Sequence, residues 1–236
     1  MSSKNRIKCL AFDADDTLWH NEPIFYSAKD KFARLLSRYH SEEWIAQRLD
    51  EAEIRNIKHF GYGIKGFTLS MIETAIELTE ERITGKEIQE ILGYTREMLS
   101  APIELLDGVR ETVEELSLGY NLMVITKGDL FDQEAKLARS GLGDFFSKIE
   151  IVSKKDKRTY ETITAKYRIS PDEFMMVGNS LRSDILPVLE MGAVAVHVPY
   201  ETEWFHEAVE EHELAGKEFV VLEKINLLPA WLHERA

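Results

Sequence analysis

Two aspartates stand two residues apart where the first apolar run of the chain ends. Asp13 and Asp15 follow residues 7–12, a mostly apolar run that predicts a buried strand. A carboxylate at the end of a strand can attack phosphorus, and a second carboxylate nearby can protonate the leaving oxygen. An aspartate after a strand is also a common turn or capping residue, so the pair by itself leaves both interpretations open.

Three later apolar runs also end in polar residues that could handle an anion. A threonine hydroxyl, lysine ammonium groups and backbone N–H groups opened by a glycine can all bind phosphoryl oxygens. The first group is Thr126, which ends the run at residues 122–126, with Lys127 and Gly128 behind it. The second is Lys154 and Lys155, after residues 149–152, and the third is Gly178 and Asn179, after residues 174–177, with Asp184 a little further on.

Each of these groups has a simpler interpretation when it is taken alone. Threonine is common in strands, a lysine pair is usually solvated, and a Gly-Asn-Ser sequence often caps a helix. In an open parallel sheet, however, ligands bind beyond the carboxyl ends of the strands. Polar groups at the ends of four apolar runs therefore favour one shared site.

The elements that must position these groups follow from the pattern of the whole chain. Short apolar runs alternate with helical periodicity, which predicts an α/β fold with a parallel sheet. Residues 23–103 interrupt this alternation with helix signals alone, including a capping box from Thr84 to Glu87. We therefore expect an all-helical cap at residues 23–103, inserted into a core formed by residues 1–22 and 104–236.

Composition excludes several classes of function. The formal charge of -13 argues against a nucleic-acid partner, because phosphate backbones would be repelled. No apolar run approaches the roughly 18 residues that a membrane span requires, and residues 1–6 show no apolar signal-peptide region. The single cysteine, Cys9, cannot form an intrachain disulfide, which favours a reducing, cytoplasmic location.

The polar groups together resemble the four motifs of the haloacid dehalogenase (HAD) superfamily. Residues 12–19, Phe-Asp-Ala-Asp-Asp-Thr-Leu-Trp, resemble its first motif, DxDxT. Residues 124–126 resemble the second motif, the lysine after residues 152–153 the third, and residues 178–184 the fourth. The resemblance implies a Rossmann-like, doubly wound core with a helical cap between the first two motifs. Because the dehalogenases of the superfamily lack the second carboxylate, Asp15 favours its phosphatase branch.

The resemblance also implies roles for individual residues. Asp13 would be the nucleophile and Asp15 the general acid and base, while Thr126 and a lysine would hold the phosphoryl oxygens. The Asp13 carboxylate, the Asp15 backbone carbonyl and Asp184 would bind Mg²⁺.

Three positions leave questions within this resemblance. Asp16 stands where many members have glycine, a change that the turn can tolerate because aspartate adopts unusual backbone angles more readily than most residues. Asn179 replaces an acidic residue of the fourth motif; its amide oxygen could still reach the metal or its waters, with one negative charge fewer. The third-motif lysine is Lys155 by our preference, with Lys154 as the alternative.

The sequence thus predicts a Mg²⁺-dependent phosphohydrolase that cleaves a small phosphorylated metabolite through an aspartyl-phosphate. Lys127 and Gly128 would help to bind the substrate, and Lys65, in an expected loop at residues 62–67 of the cap, would reach its leaving group. The alternatives are a phosphomutase or phosphotransferase of the same superfamily, and a non-catalytic phosphate-binding regulatory module. The sequence leaves the oligomeric state open.

Overall fold

The computed structural model describes residues 7–202, 207 and 209–235. The polar N-terminal residues 1–6, from which we expected no signal peptide, lie outside the described residues. Within the described residues, contacts divide the chain into two compact units. One comprises the described residues of Met1–His20, Ile103–Lys127 and Gln133–Ala236, and the other comprises Asn21–Pro102 and Gly128–Asp132.

The first unit contains a parallel sheet, which confirms the predicted α/β class. In the described part of the chain the sheet has six strands in the order β3-β2-β1-β4-β5-β6, all paired in parallel. This order is doubly wound, and it reverses between β1 and β4, where such sheets bind their ligands. The strands are β1 (Cys9–Phe12), β2 (Asn121–Lys127), β3 (Lys148–Val152), β4 (Phe174–Gly178), β5 (Val194–His197) and β6 (Val220–Val221).

The central strand explains why the sequence forms a buried sheet here. Successive side chains of a strand point to opposite faces of the sheet. Because both faces are buried at β1, this strand needs apolar residues at every position. Leu10 and Phe12 pack into one hydrophobic cluster, and Cys9 and Ala11 pack into another. Helix α5 (Val109–Ser117) precedes β2. The helices that follow β2 to β6 are α6 (Leu130–Ser140), α7 (Lys157–Tyr167), α8 (Leu186–Glu190), α9 (Glu211–Leu214) and α10 (Leu228–His233).

The second unit is helical and has its own core. Its hydrophobic cluster takes apolar residues from each of its helices, among them Phe32, Leu49, Met71 and Ile91. The predicted capping box at Thr84 is confirmed, since the Thr84 and Glu87 side chains bond each other's backbone N–H groups. The helices are α1 (Glu22–Leu36), α2 (Glu42–Phe60), α3 (Ile64–Leu78) and α4 (Gly85–Ser100).

The expected loop at residues 62–67 is shorter than predicted. Helix α2 ends at Phe60 and helix α3 begins at Ile64, so Lys65 lies in the first turn of α3. Gly66 misled the prediction, because it is part of the helix. A Cβ atom at Gly66 would lie 2.6 Å from the Gly61 carbonyl oxygen, so glycine is required there by close backbone approach.

No helix among the described residues is long and apolar enough to cross a membrane.

Candidate active site

Asp13 lies directly beyond β1 in a tight turn. Its N–H donates to the Val177 carbonyl oxygen at 2.9 Å, which ties the turn to the end of β4. Asp16 has a φ of +60°, in the left-handed region that aspartate tolerates better than most residues, and its N–H donates to the Trp19 carbonyl oxygen at 2.8 Å. The turn therefore forms without the glycine that many sequences carry at this position.

Lys155 contacts two carboxylates, one of them that of Asp13 in this turn. Its Nζ donates to Asp13 Oδ1, and to Asp184 Oδ1 at 2.6 Å. The Lys155 side chain is 1% exposed, so the three charged groups meet in a buried environment. Lys154, the alternative third-motif residue, is exposed to solvent.

Burial and charge shift the protonation of this cluster. Burial raises the pKa of Asp13 to about 7, with Asp184 and Asp15 acting in the same direction and Lys155 opposing them. Burial alone would lower the pKa of Lys155, but Asp13 and Asp184 outweigh it and hold this pKa above its ordinary value. Lys155 thus keeps its proton, and the raised pKa of Asp13, about 7, means that this carboxyl group changes its charge near neutral pH.

The turn after β4 places Asp184. Ser180 N–H donates to Asp184 Oδ2 at 3.0 Å, within a π-helical turn at Leu181–Ile185 that precedes α8. A Cβ atom at Gly178 would lie 2.3 Å from Asp184 Oδ2, so a side chain at this position would push the carboxylate away. Short π-helical segments are common at functional sites.

Thr17 and Asn179 connect the turns after β1 and β4. Thr17 Oγ1 donates to Asn179 Oδ1 at 3.1 Å and accepts from Asn179 N–H at 3.0 Å. Thr17 Oγ1 also lies 3.4 Å from Asp13 Oδ2. The amide oxygen of Asn179 is therefore held near the Asp13 carboxylate.

The predicted residues at the carboxyl end of β2 have different environments. Thr126 is buried at the end of the strand, and its Oγ1 donates to the Lys127 carbonyl oxygen at 3.3 Å. Lys127 Nζ donates to Ser183 Oγ at 2.8 Å and forms an ion pair with Glu207. Gly128 has a φ of +138°, a left-handed conformation that favours glycine.

Glu207 is a buried acid that the sequence analysis missed. Its carboxylate accepts from Lys127 Nζ and from the hydroxyls of Ser180 and Ser183. Although burial alone would raise its pKa, Lys127 and the two hydroxyls bring the pKa of Glu207 down to about 2. This carboxylate links the end of β2 to the turn that carries Asp184.

Asp15 is bound by side chains of α6 that the sequence analysis also missed. Gln133 Nε2 donates to Asp15 Oδ2 at 2.7 Å, and Lys136 Nζ lies 3.1 Å from Asp15 Oδ1. Both residues are buried, and they occur three positions apart on one face of the helix. Polar residues at core-facing positions of an amphipathic helix are the signal that could have identified them.

Lys65 lies in the helical unit, where it contacts the segment Gly128–Asp132. Its Nζ donates to Asp129 Oδ1 at 2.9 Å and lies 5.6 Å from the centre of the Phe131 ring. The hydrogen bond from Lys65 holds the pKa of Asp129 below its ordinary value. An anionic group that reached Lys65 would have to compete with this carboxylate.

The side chains at the ends of β1 and β4 suit a hard divalent cation. The carboxylates of Asp13 and Asp184 and the amide oxygen of Asn179 are oxygen ligands, the kind that Mg²⁺ prefers. Among the described residues there is no group of three or more histidine, cysteine, aspartate and glutamate side chains that could hold a metal ion. That finding is compatible with Mg²⁺, which is commonly held by one or two carboxylates together with water and substrate oxygens.

Known proteins similar to this chain are hydrolases. A family model described as haloacid dehalogenase-like hydrolase matches residues 7–192. A phosphoglycolate phosphatase of Pectobacterium atrosepticum is 28% identical over 85% of this chain and 83% of its own length. A glyceraldehyde 3-phosphate phosphatase of Pyrococcus furiosus is 25% identical over 83% of this chain and 82% of its own.

A solved structure extends the similarity over the full chain. It is a haloacid dehalogenase-like family hydrolase from Xanthomonas campestris, with 40% sequence identity and a TM-score of 0.86. The match covers 100% of this chain and 94% of the other. The resemblance read from the four motifs is thereby confirmed at the level of the family.

Proposed function

The chain belongs to the haloacid dehalogenase-like hydrolase family and is an enzyme of the phosphatase type, and from this premise we propose that it cleaves a small phosphomonoester through an aspartyl-phosphate on Asp13. The observation that carries the proposal is the meeting of Asp13, Asp184 and Lys155 at the switch point of the sheet. Such a cluster offers a nucleophile and a fixed cation close to the place where a phosphoryl group would bind.

The reaction would proceed in two steps. In the first, an Asp13 carboxylate oxygen forms a bond to phosphorus while the bond from phosphorus to the leaving oxygen breaks, and Asp15 gives its proton to that oxygen. In the second, a water oxygen attacks the same phosphorus, Asp15 takes the proton of the water, and the bond between phosphorus and Asp13 breaks. Orthophosphate leaves, and both carboxyl groups return to their initial states.

The remaining predicted residues would stabilise the transferring group. Lys155 and Thr126 would donate to the phosphoryl oxygens, and backbone N–H groups near Gly128 would add further donors. Lys127 is paired with Glu207, so its contribution to substrate binding would depend on release from that partner. When bound, Mg²⁺ would be held by Asp13, the Asp15 carbonyl and Asp184, with Asn179 nearby, and would neutralise charge on the phosphoryl oxygens.

We also propose a class of substrate and a cellular location for the enzyme. The similar phosphatases act on phosphoglycolate and glyceraldehyde 3-phosphate, which favours a small phosphorylated metabolite here too. Lys65 of the helical unit is our candidate for contact with the leaving group. The buried, unpaired Cys9 thiol, whose pKa burial raises to about 11, favours a reducing cytoplasm.

The direct experiment is to trap the intermediate. The protein would be mixed with a phosphorylated metabolite and Mg²⁺ and quenched in acid, and the Asp13 peptide would be examined for the mass of an added phosphoryl group. Asp13→Asn should lose this adduct and lower phosphate release by several orders of magnitude. Rapid turnover by folded Asp13→Asn would rule out the covalent mechanism.

A further inference from the structure

Helix α6 brings two buried polar side chains to one carboxylate. Gln133 and Lys136 are each 4% exposed, although neutral and charged polar groups of this size are usually found at the surface. Their partner, Asp15, is more than a hundred residues away in the chain. Burial of two such groups against the same acid indicates that the helix holds Asp15 in a specific position.

The donors divide between the two oxygens of Asp15 in a regular way. Trp19 Nε1 donates to Oδ1 at 2.7 Å and Gln133 Nε2 donates to Oδ2 at 2.7 Å. Lys136 Nζ lies farther away and is shared by both oxygens, at 3.1 Å from Oδ1 and 3.3 Å from Oδ2. Trp19 and Gln133 thus fix the plane of the carboxylate, and Lys136 supplies a positive charge centred between its oxygens.

The orientation of the Gln133 amide is fixed by its partners. Nε2 donates to Asp15 Oδ2 and to the Lys127 carbonyl oxygen at 3.1 Å, and both of these atoms are acceptors. In the flipped orientation, the Gln133 amide oxygen would face two acceptors, Asp15 Oδ2 and the Lys127 carbonyl oxygen, and neither hydrogen bond could form. The amide oxygen of Gln133 is buried without a hydrogen-bond partner among the described residues. The chain therefore tolerates an unsatisfied acceptor in order to keep the donor on Asp15.

From this geometry, and resting on the function proposed above for Asp15, we propose that Gln133 and Lys136 are positioning residues for its proton transfer. When Asp15 gives its proton to the leaving oxygen, negative charge develops on the carboxylate. Gln133 keeps the carboxylate in the plane set with Trp19, and Lys136 stabilises the new charge. When Asp15 later takes a proton from water, its contact with Lys136, which is longer than those with Trp19 and Gln133, is the one that weakens.

The test is the dependence of kcat/KM on the leaving group. Nitrophenolate leaves from p-nitrophenyl phosphate with little help from an acid, whereas phenolate leaving from phenyl phosphate needs more. We expect Gln133→Leu and Lys136→Met each to increase the ratio of kcat/KM for p-nitrophenyl phosphate to kcat/KM for phenyl phosphate about tenfold. A tenfold change is smaller than the full effect of removing general acid catalysis, because Asp15 itself is still present. Lys136→Arg, which keeps a charge and donors, should restore the ratio towards that of the wild type.

A matched control comes from the same helix. Leu137 is 4% exposed and packs in the core cluster, so Leu137→Ala should destabilise α6 without changing the ratio. An equal change in Leu137→Ala, or an unchanged ratio in both Gln133→Leu and Lys136→Met, would overturn the inference. Should Lys136→Met fail to fold, Gln133→Leu and Lys136→Arg decide the matter.

Asp15→Asn separates this inference from the proposed function. An increased ratio in Asp15→Asn, together with unchanged ratios in the α6 variants, would overturn the role of α6 alone. An unchanged ratio in Asp15→Asn would instead overturn the acid role of Asp15 itself.

Discussion

Thr17 and Asn179 are joined by two hydrogen bonds through a single hydroxyl group. The Thr17 hydroxyl donates to the Asn179 side-chain oxygen at 3.1 Å and accepts from the Asn179 backbone N–H at 3.0 Å. The side chain of residue 179 is therefore fixed relative to the turn that carries Asp13. A carboxylate at this position could accept the same hydrogen bond from Thr17, so the position tolerates either an amide or an acid.

Asn179→Asp should bind Mg²⁺ more tightly than the wild type. The substitution adds one negative charge beside two carboxylates that are proposed to hold the ion, and an acidic oxygen is a better ligand for a hard cation than an amide oxygen. Isothermal titration of the purified, EDTA-treated protein with Mg²⁺ would measure the change. Asn121→Asp, at the exposed start of β2, adds the same charge elsewhere and is the matched control. Equal or weaker Mg²⁺ binding by Asn179→Asp would mean that residue 179 does not approach the ion.

Lys155→Met should lower kcat by roughly 10²–10³-fold, the usual effect of losing one preorganised donor to developing charge. It should also destabilise the fold, because Asp13 and Asp184 would face each other without the ammonium group that now separates them. Lys154→Met is the control, since its side chain is exposed. Steady-state kinetics and denaturant unfolding of both variants would measure the two effects. Loss of activity in Lys154→Met with retention in Lys155→Met would assign the third motif to Lys154.

Asp13→Asn should be more stable than the wild type at pH 8 in the presence of EDTA. The pKa of Asp13 is raised from 3.8 to about 7 in the folded protein, chiefly by burial. Its contribution to stability is therefore fully present below pH 3.8 and is lost as the pH rises through about 7. Asparagine has no charge to bury, so we expect a gain of about 1–2 kcal/mol at pH 8 that shrinks as the pH falls towards 4.

Denaturant unfolding at several pH values would measure this difference in the free energy of unfolding. Asp107→Asn removes a carboxylate from an exposed position and is the control. If Asp13→Asn were less stable than the wild type throughout this range, burial of the Asp13 charge would not be the dominant cost.

The sheet and the four strand ends could be predicted because local signals coincide there. Apolar runs long enough for buried strands stop at polar residues, so Asp13 after β1 and Thr126 near the end of β2 were located from the sequence. The expected loop at residues 62–67 was wrong in extent, because Gly66 serves close packing against Gly61 and does not break the helix. The sequence alone does not distinguish a glycine that allows close packing within a helix from one that ends the helix.

The side chains that support the site could not be predicted for a different reason. Gln133 lies 118 residues from Asp15, and Glu207 lies 80 residues from Lys127. No local spacing relates these pairs, and their contacts depend on how the helices and loops pack around the sheet. By contrast, Asp13 and Asp184 were predictable because each follows a strand whose carboxyl end defines the same edge.

Lys65→Ala should raise KM for a substrate that carries a second anionic group and leave turnover of p-nitrophenyl phosphate nearly unchanged. Lys65 is not expected to bind the transferring phosphoryl group, which Lys155 and Thr126 are proposed to hold, and nitrophenolate offers it no anion to bind. Because Lys65 is paired with Asp129, an anionic substrate gains only the difference between its own attraction to Lys65 and that of this carboxylate. We therefore expect a loss of about tenfold or less in kcat/KM, the scale of one exposed ion pair.

Phosphoglycolate and p-nitrophenyl phosphate would be compared in the wild type and in Lys65→Ala, with Lys58→Ala on helix α2 as the control for loss of a lysine charge in the helical unit. A selective loss on phosphoglycolate would place Lys65 at the leaving group. Equal losses on the two substrates would show that Lys65 acts on the chemistry or on the folding of the helical unit. Unchanged kinetics on both would mean that the pair of Lys65 with Asp129 serves only to hold the start of α3.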